Sequence, residues 1–429
     1  MKKRPYNLAI IPSAKADKFE VITDMEALKS IFVLIVLLFM VRKRLHLGHA
    51  FLLATGLFGL LHQISPKEMA LIALETVLDS STLIVLGSLY LIRIMEKIIN
   101  DTGVQSRLVA SIKSLTGNPR AAMIILPGLI GLLPNPGGAR FSAPMVKEAS
   151  RELTISPEQS AAINYYFRHI WEFFLPLYPA NLIAAQIIGV PISQFLLMMF
   201  PFTPITILIG LILFRNIPGL AEAREKPEEK EKASSQLWLH LSEGLLPILA
   251  ILLLVIGFKI SILPSLVMVI GTMLLFYRVG FVKCLKMMKE SLAPGIFYMT
   301  FAAIYLSEVL QKSGSIEALL SSVVASGLNP LLITIFFPFL IGLFSGITLP
   351  GITIALPIIL TIAGPEQTLT LACLAFMSNY VGVMLSPTHL CLLMSTEYFG
   401  ANLARTYRYL YLPETTLLVF SLLYAFCLF

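Results

Sequence analysis

The residues of this 429-residue chain best placed for chemistry stand beside two clusters of helix-breaking glycine and proline. The first cluster runs Pro134-Asn135-Pro136-Gly137-Gly138 and is followed at once by Arg140 and Ser142. It combines an amide, glycines that expose backbone N–H groups, a fixed positive charge and a hydroxyl, a mixture suited to an anion. A helix restarting after the glycines would add the positive end of its dipole, and the planar fork of Arg140 matches a carboxylate in bidentate fashion. The competing reading pairs Arg140 with Glu148 or lets it reach the membrane surface. The second cluster, Ser345-Gly346-Ile347-Thr348-Leu349-Pro350-Gly351 with Thr353 close behind, is neutral and rich in hydroxyl and backbone oxygen. It suits Na⁺ or a hydrogen-bonded substrate, although Ser and Thr in membrane helices also bond their own backbone.

Further along each half lies a second polar concentration. Arg168, His169 and Glu172 crowd one region, and the spacing puts Arg168 and Glu172 one turn apart on a helical face. They form either an internal salt bridge or a charge-tuned site in which Glu172 carries a proton or a cation. Breaks are expected around Pro176 to Asn181 and from Ser378 to His389, where Ser378, Asn379, Ser386, Thr388 and His389 surround Pro387. His389 is either a titrating group near neutral pH or a hydrogen-bonded structural residue. Glu172, Asn181, Ser345, Ser378 and Asn379 make the candidate coupling-ion set. Asn135, Gly137, Gly138, Arg140, Ser142, Thr348, Gly351, Thr353, Ser386, Thr388 and His389 make the candidate substrate set. Cys284, Cys373, Cys391 and Cys427 show no CxxC and no paired spacing, so they read as small apolar fillers and no metal site is expected. No GxxxxGK[ST] loop occurs and no nucleophile-base spacing is legible, so an ATP-driven pump and an enzyme are not expected. Na⁺ is the sole candidate cofactor.

The elements that must hold these residues follow from composition. The chain is 57% hydrophobic and only 13% charged, too little polar surface for a soluble domain. This predicts an all-α polytopic membrane protein with apolar runs near 26–41, 47–63, 78–96, 158–188, 191–214, 237–258, 261–277, 294–311, 366–394 and 410–428, ten passes in all. The apolar stretches about 121–146 and about 330–362 contain the two breaker clusters and read as re-entrant hairpins. With Arg42, Lys43 and Arg44 inside, 21 of the 32 Lys and Arg fall on the cytoplasmic side and three outside, as the positive-inside rule requires. Six near the N-terminus contradict this, and residues 1–24 read as a tail or an over-extended start. The charged block at 215–236 reads as a cytoplasmic linker between 25–214 and 237–429. A multi-pass location in the cell membrane is expected. The net charge of +7 belongs to loop retention, not to nucleic-acid binding.

The two halves align. Leu89-Tyr90-Leu91 and Lys97 match Ile304-Tyr305-Leu306 and Lys312 at an offset of 215, Pro127 and Gly131 match Pro338 and Gly342 at 211, and Pro157-Glu158-Gln159 matches Pro365-Glu366-Gln367 at 208. Five passes and a hairpin per half, five being odd, make the repeats inverted, the architecture of secondary transporters.

Leu133-Pro134-Asn135-Pro136-Gly137-Gly138-Ala139-Arg140-Phe141, with Met384-Leu385-Ser386-Pro387-Thr388-His389-Leu390, resembles an integral membrane family of undetermined function within the ion transporter superfamily, which also holds divalent-anion/sodium symporters. The resemblance covers nearly the whole chain from Met25. It implies a scaffold and a transport domain, substrate and sodium at the hairpin tips, and a homodimer moving as an elevator. The Ser-Asn-Thr signature of the sodium symporters is absent from both tips. The expected function is cation-coupled (Na⁺ or H⁺) transport of a small, carboxylate-bearing anion. The alternatives are a cation/proton antiporter centred on Glu172 and His389, or a membrane scaffold without transport.

Overall fold

A computed structural model of the chain describes residues 45–104, 106–108, 119–132, 138–151, 153–215, 235–313, 329–362 and 367–428, together with Ser111 and parts of 25–43. Among the described residues every regular element is a helix. The first half runs α1 (Leu47–Leu61), α2 (Pro66–Leu78), α3 (Ser80–Asp101), α4 (Pro119–Gly131), α5 (Ala139–Ala149), α6 (Pro157–Arg168), α7 (Pro179–Ile188), α8 (Ile192–Met199) and α9 (Phe202–Arg215). The second half opens with α10 (Ser235–Leu252), which passes into a π turn at Leu253–Gly257, followed by α11 (Ile262–Phe276), α12 (Phe281–Glu290) and α13 (Pro294–Lys312). It closes with α14 (Pro330–Ser345), α15 (Thr348–Ile362), α16 (Thr368–Met384), α17 (Leu390–Phe399), α18 (Leu403–Thr406) and α19 (Tyr411–Leu428).

Local sequence sets the starts. Asp79 accepts the Thr82 N–H at 2.9 Å and so begins α3 at a 56° bend from α2. Ser156 and Gln159 form a reciprocal capping box ahead of Pro157, the proline sitting where its missing N–H costs nothing. Both apolar stretches with breaker clusters divide into two helices packed on each other, α4 with α5 and α14 with α15. The tip at 133–137 and the tail at 1–24 lie outside the described residues, as does most of the 215–236 linker.

Among the described residues three helical stretches are long and apolar enough to cross a membrane, Ile192–Arg215, Trp238–Gly257 and Tyr411–Leu428, and the bent pairs α2–α3 and α12–α13 bring the number to five. Ten passes are expected from the apolar runs. Of the other five, 26–41 lies only partly within the described residues, and 158–188 and 366–394 are each interrupted in the middle. In addition, the runs at 47–63 and 261–277 yield helices of only 15 residues, about 22 Å long against a ~30 Å hydrocarbon core. Outward-facing Leu275, Phe281 and Val282 are 81%, 82% and 82% exposed, a surface consistent with lipid as its solvent.

Cross-half contacts recur in pairs. α13 packs on α1 while α11 packs on α3, and α15 packs on α7 while α17 packs on α5. Lys97 of α3 pairs with Glu290 at the end of α12 at 2.9 Å, and Lys312 of α13 pairs with Glu75 of α2 at 2.5 Å. Lys97 and Lys312 are 215 positions apart, and so are Glu75 and Glu290. A Cβ on Gly131 would overlap the backbone carbonyl of Arg168, and one on Gly342 would overlap that of Asn379. Both the two glycines and the two residues they meet are 211 apart. Each arm also carries a proline beyond its first turn, Pro127 and Pro144 in the first pair, Pro338 and Pro357 in the second.

Gly131→Ala and Gly342→Ala should each cost about 1–3 kcal/mol of stability, because the neighbouring atom is backbone and cannot rotate away. Gly271→Ala in α11, where a Cβ meets nothing within 4 Å, should be neutral or slightly stabilising. Thermal unfolding in detergent checks the set, and equal melting temperatures for all three would remove the close-approach account.

Candidate functional site

A cavity of about 260 Å³ opens where the two interrupted spans meet α3. α6 stops at Arg168, and the chain makes irregular turns from His169 to Tyr178 before Pro179 starts α7. α16 stops at Met384, and the chain turns through Ser386 and Pro387 before α17 starts at Leu390. Interrupted helices leave carbonyls without intrahelical partners, and side chains of the structure supply them. Asn181 Nδ2 donates to Glu172 O at 3.0 Å and Leu175 O at 2.7 Å. Trp171 and Tyr178 reach back to the first hairpin, donating to Gly128 O at 2.7 Å and Gly131 O at 2.6 Å. The halves also serve each other, since Tyr165 Oη donates to Met384 O at 3.1 Å and Tyr380 Oη to His169 O at 3.3 Å.

The cavity wall holds both signs of charge. Arg168 and Glu172 come from the first break, Arg93 and Glu96 from α3, and His389 and Cys391 from the second break and the turn after it. Arg93 and Glu96 pair at 3.1 Å. His169 is the hub. Its Nδ1 donates to Tyr165 O at 2.6 Å, which leaves Nε2 of the neutral ring as an acceptor. Around Nε2 lie His389 Nε2 at 3.2 Å, Arg168 Nη1 at 3.5 Å and Glu172 Oε1 at 3.7 Å. Arg168 Nη1 also lies 3.4 Å from Cys391 Sγ. Arg168 is only 4% exposed and His169 1%, so this is a desolvated cluster whose members answer to one another rather than to water.

The second hairpin tip closes on the second break. Gly346 takes φ +66°, which only glycine adopts without strain, and a Cβ there would lie 2.6 Å from Thr388 Oγ1 and 3.0 Å from Ser386 Oγ. Ser386 and Thr388 share a hydroxyl contact at 2.9 Å. Asn379 Nδ2 donates to Thr348 O at 2.9 Å, its side chain filling the space that Gly351 leaves open.

The candidate residues therefore divide. His389 and Glu172 join the cavity. Ser345, Thr348, Gly351, Asn379, Ser386 and Thr388 gather at the second tip, where Ser345 Oγ donates to Ile347 O at 3.0 Å. Ser142 and Thr353 turn their hydroxyls to their own helices, at 3.4 Å from Gly138 O and 2.9 Å from Leu349 O. Asn135 and Gly137 lie outside the described residues, and so does the side chain of Arg140, whose backbone is in the first turn of α5. Gly138 is buried, and a Cβ on it would overlap the guanidinium of Arg168, so the described end of the first tip abuts the cavity. Glu148, the alternative partner weighed for Arg140, pairs with Arg151 at 3.2 Å.

Two positions differ from the sequence reading. The first break begins at His169, well before Pro176, so Glu172 is not one helical turn beyond Arg168 on a shared face; the helix has already ended. Ser378 and Asn379 lie inside α16, ahead of its break. The buried oxygens Ser378 Oγ, Asn379 Oδ1 and Asn181 Oδ1 have no hydrogen-bond partner among the described residues. Spacing did not single out Cys391, read as filler, or Glu414, which is fully buried in α19 with neither carboxyl oxygen hydrogen-bonded among the described residues. Cys391 carried one available signal, its place two residues after His389.

The family described as protein of unknown function (DUF401) matches residues 24–427. No curated protein matches the chain.

Tyr165→Phe and Tyr380→Phe should each lower stability by about 1–3 kcal/mol, because each strands a buried carbonyl at a helix end. Melting temperatures unchanged from the parent in both variants would show that these carbonyls have other partners.

Proposed function

The chain belongs to the DUF401 family, and from the cavity it builds we propose that it is a secondary active transporter, carrying a small, carboxylate-bearing anion coupled to Na⁺ or H⁺ by alternating access. The observation that carries this reading is a buried arginine, Arg168, in the wall of a 260 Å³ cavity framed by interrupted helices of both halves. A guanidinium at membrane depth is costly and is retained where it faces a ligand or a pathway, and broken helices meeting at mid-depth are where carriers hold their cargo.

The paired contacts support an internal duplication with two-fold exchange. Lysine and glutamate at one common offset pair reciprocally across the halves, and the hairpin glycines meet residues at another common offset. In this reading the two bodies are inverted repeats of five passes and one re-entrant hairpin each. The chain spans the cell membrane with the 215–236 linker inside, and a homodimer provides the frame. A distant relationship to the ion transporter superfamily, with its divalent-anion/sodium symporters, forms part of the same proposal.

The anion is held by Arg168 together with the first tip, Asn135, Gly137, Gly138, Arg140 and Ser142. The adjacency of Gly138 to the Arg168 guanidinium is what links the two. The unpartnered oxygens of Asn181, Ser378 and Asn379, with Ser345 and Glu172, offer hard oxygen ligands to Na⁺. The second reading, a cation/proton antiporter, draws on Glu172 and His389 flanking the same His169 nitrogen.

In proteoliposomes, labelled dicarboxylates should accumulate down an inward Na⁺ or H⁺ gradient. Arg168→Lys keeps the charge and loses the fork, and Arg140→Ala removes both. Each should cut uptake by roughly a hundredfold, the scale of a broken buried ion pair. A pH dye responding to Na⁺ with no anion present would favour the antiporter, and neither signal would leave transport without support.

A further inference from the structure

We propose that His169, His389 and Cys391 form a three-residue binding site for a borderline-soft divalent cation of the zinc class, its fourth position open toward the cavity and the nearby Glu172 carboxylate. The proposal stands on ligand geometry and does not require the transport reading. The three donor atoms lie within 4.8 Å of one another and all three residues are buried. The two imidazole Nε2 atoms face each other at 3.2 Å. In a tetrahedral zinc site with Zn–N bonds of about 2.0–2.1 Å, the edge between two nitrogen ligands is about 3.3–3.4 Å, so the histidines already stand one coordination edge apart.

The tautomer of His169 fits as well. Its Nδ1 proton is given to the Tyr165 carbonyl at 2.6 Å, which turns a bare Nε2 lone pair toward His389 and Cys391. A ring nitrogen fixed by a backbone carbonyl on its far side is the usual outer-shell support of a metal-bound histidine. Glu172 Oε1, 3.7 Å from that Nε2, brings a carboxylate to the open side, and the cavity that exposes all four residues provides an entry path. On binding, the Sγ–metal bond forms as the thiol proton leaves to water, so thiolate and carboxylate together balance the two charges of the ion. Nitrogen and sulfur donors select zinc-like ions over Mg²⁺ or Ca²⁺. Because His169 belongs to the first half and the other two donors to the second, a bound ion would bridge the interrupted spans of both. Arg168, 3.4 Å from Cys391 Sγ and 3.5 Å from His169 Nε2, faces the same two donors and must step aside as the ion enters.

Purified full-length protein, titrated with Zn²⁺ against a chromophoric chelator, should bind one ion per chain and should ignore Mg²⁺. Co²⁺ should give tetrahedral d–d bands and a thiolate-to-cobalt charge-transfer band. His169→Ala, His389→Ala and Cys391→Ser should each weaken Zn²⁺ binding by at least about a hundredfold, more than loss of an outer-shell group, and Cys391→Ser should abolish the charge-transfer band. A variant in which Cys284, Cys373 and Cys427 are all serine should keep it, which tests the site even if the ligand variants fail to fold. No stoichiometric Zn²⁺ binding by the parent protein, a cobalt spectrum without thiolate character, or folded ligand variants that bind like the parent would each overturn the site.

Discussion

A backbone that leaves its helix in apolar surroundings must find a partner for every carbonyl it frees, and that requirement organises this molecule. The first interrupted span uses Asn181 to hold its own turns and sends Trp171 and Tyr178 to the hairpin beside it. Tyr165 and Tyr380 carry the debt across the midline, each donating to a carbonyl at the break of the opposite half. Left without these donors, the buried carbonyls would be unpaired at a cost of about 1–3 kcal/mol each. The irregular segments are consequently as well determined as the helices that flank them. A binding site assembled from them inherits that order.

The same economy explains where the polar side chains cluster. Arg168, His169 and His389 are buried and Glu172 is only partly exposed, so they face one another and the cavity. Glycine supplies the room. The residues at 131, 138, 342 and 351 let a hairpin approach so closely that its neighbours are the backbone or side chains of Arg168 and Asn379. The positions of the two polar clusters are thus fixed by the absence of side chains opposite them.

Much of this was legible in the chain. Apolar runs marked the helices, glycine and proline marked the breaks between α4 and α5 and between α14 and α15, and the matches of Lys97 with Lys312 and of Gly131 with Gly342 anticipated positions that occupy corresponding contacts. What eluded reading depends on proximity between residues more than two hundred positions apart. Cys391 has only the nearby His389 in sequence to set it apart from a packing residue; its meaning comes from Arg168 and His169 arriving from the other half. The early end of α6 was hidden because His169, Trp171 and the phenylalanines after them are not strong breakers, and the helix stops where tertiary partners for its carbonyls become available. Periodicity placed Arg168 and Glu172 on one face, but that inference holds only while the helix continues. Glu414 escaped because a carboxylate in the first turn of a helix ordinarily reads as a solvated dipole partner.

The two lysine–glutamate pairs that join the halves, Lys97 with Glu290 and Lys312 with Glu75, sit at partly open rims. Exposed pairs of this kind are worth about 1 kcal/mol or less. They act as registration marks, aligning one body with the other, while contributing almost nothing to the barrier for sliding past it. Friction between the halves must reside elsewhere, in the interlocked tyrosines and glycine contacts around the midline, and a relative displacement would unfasten its edges long before its centre.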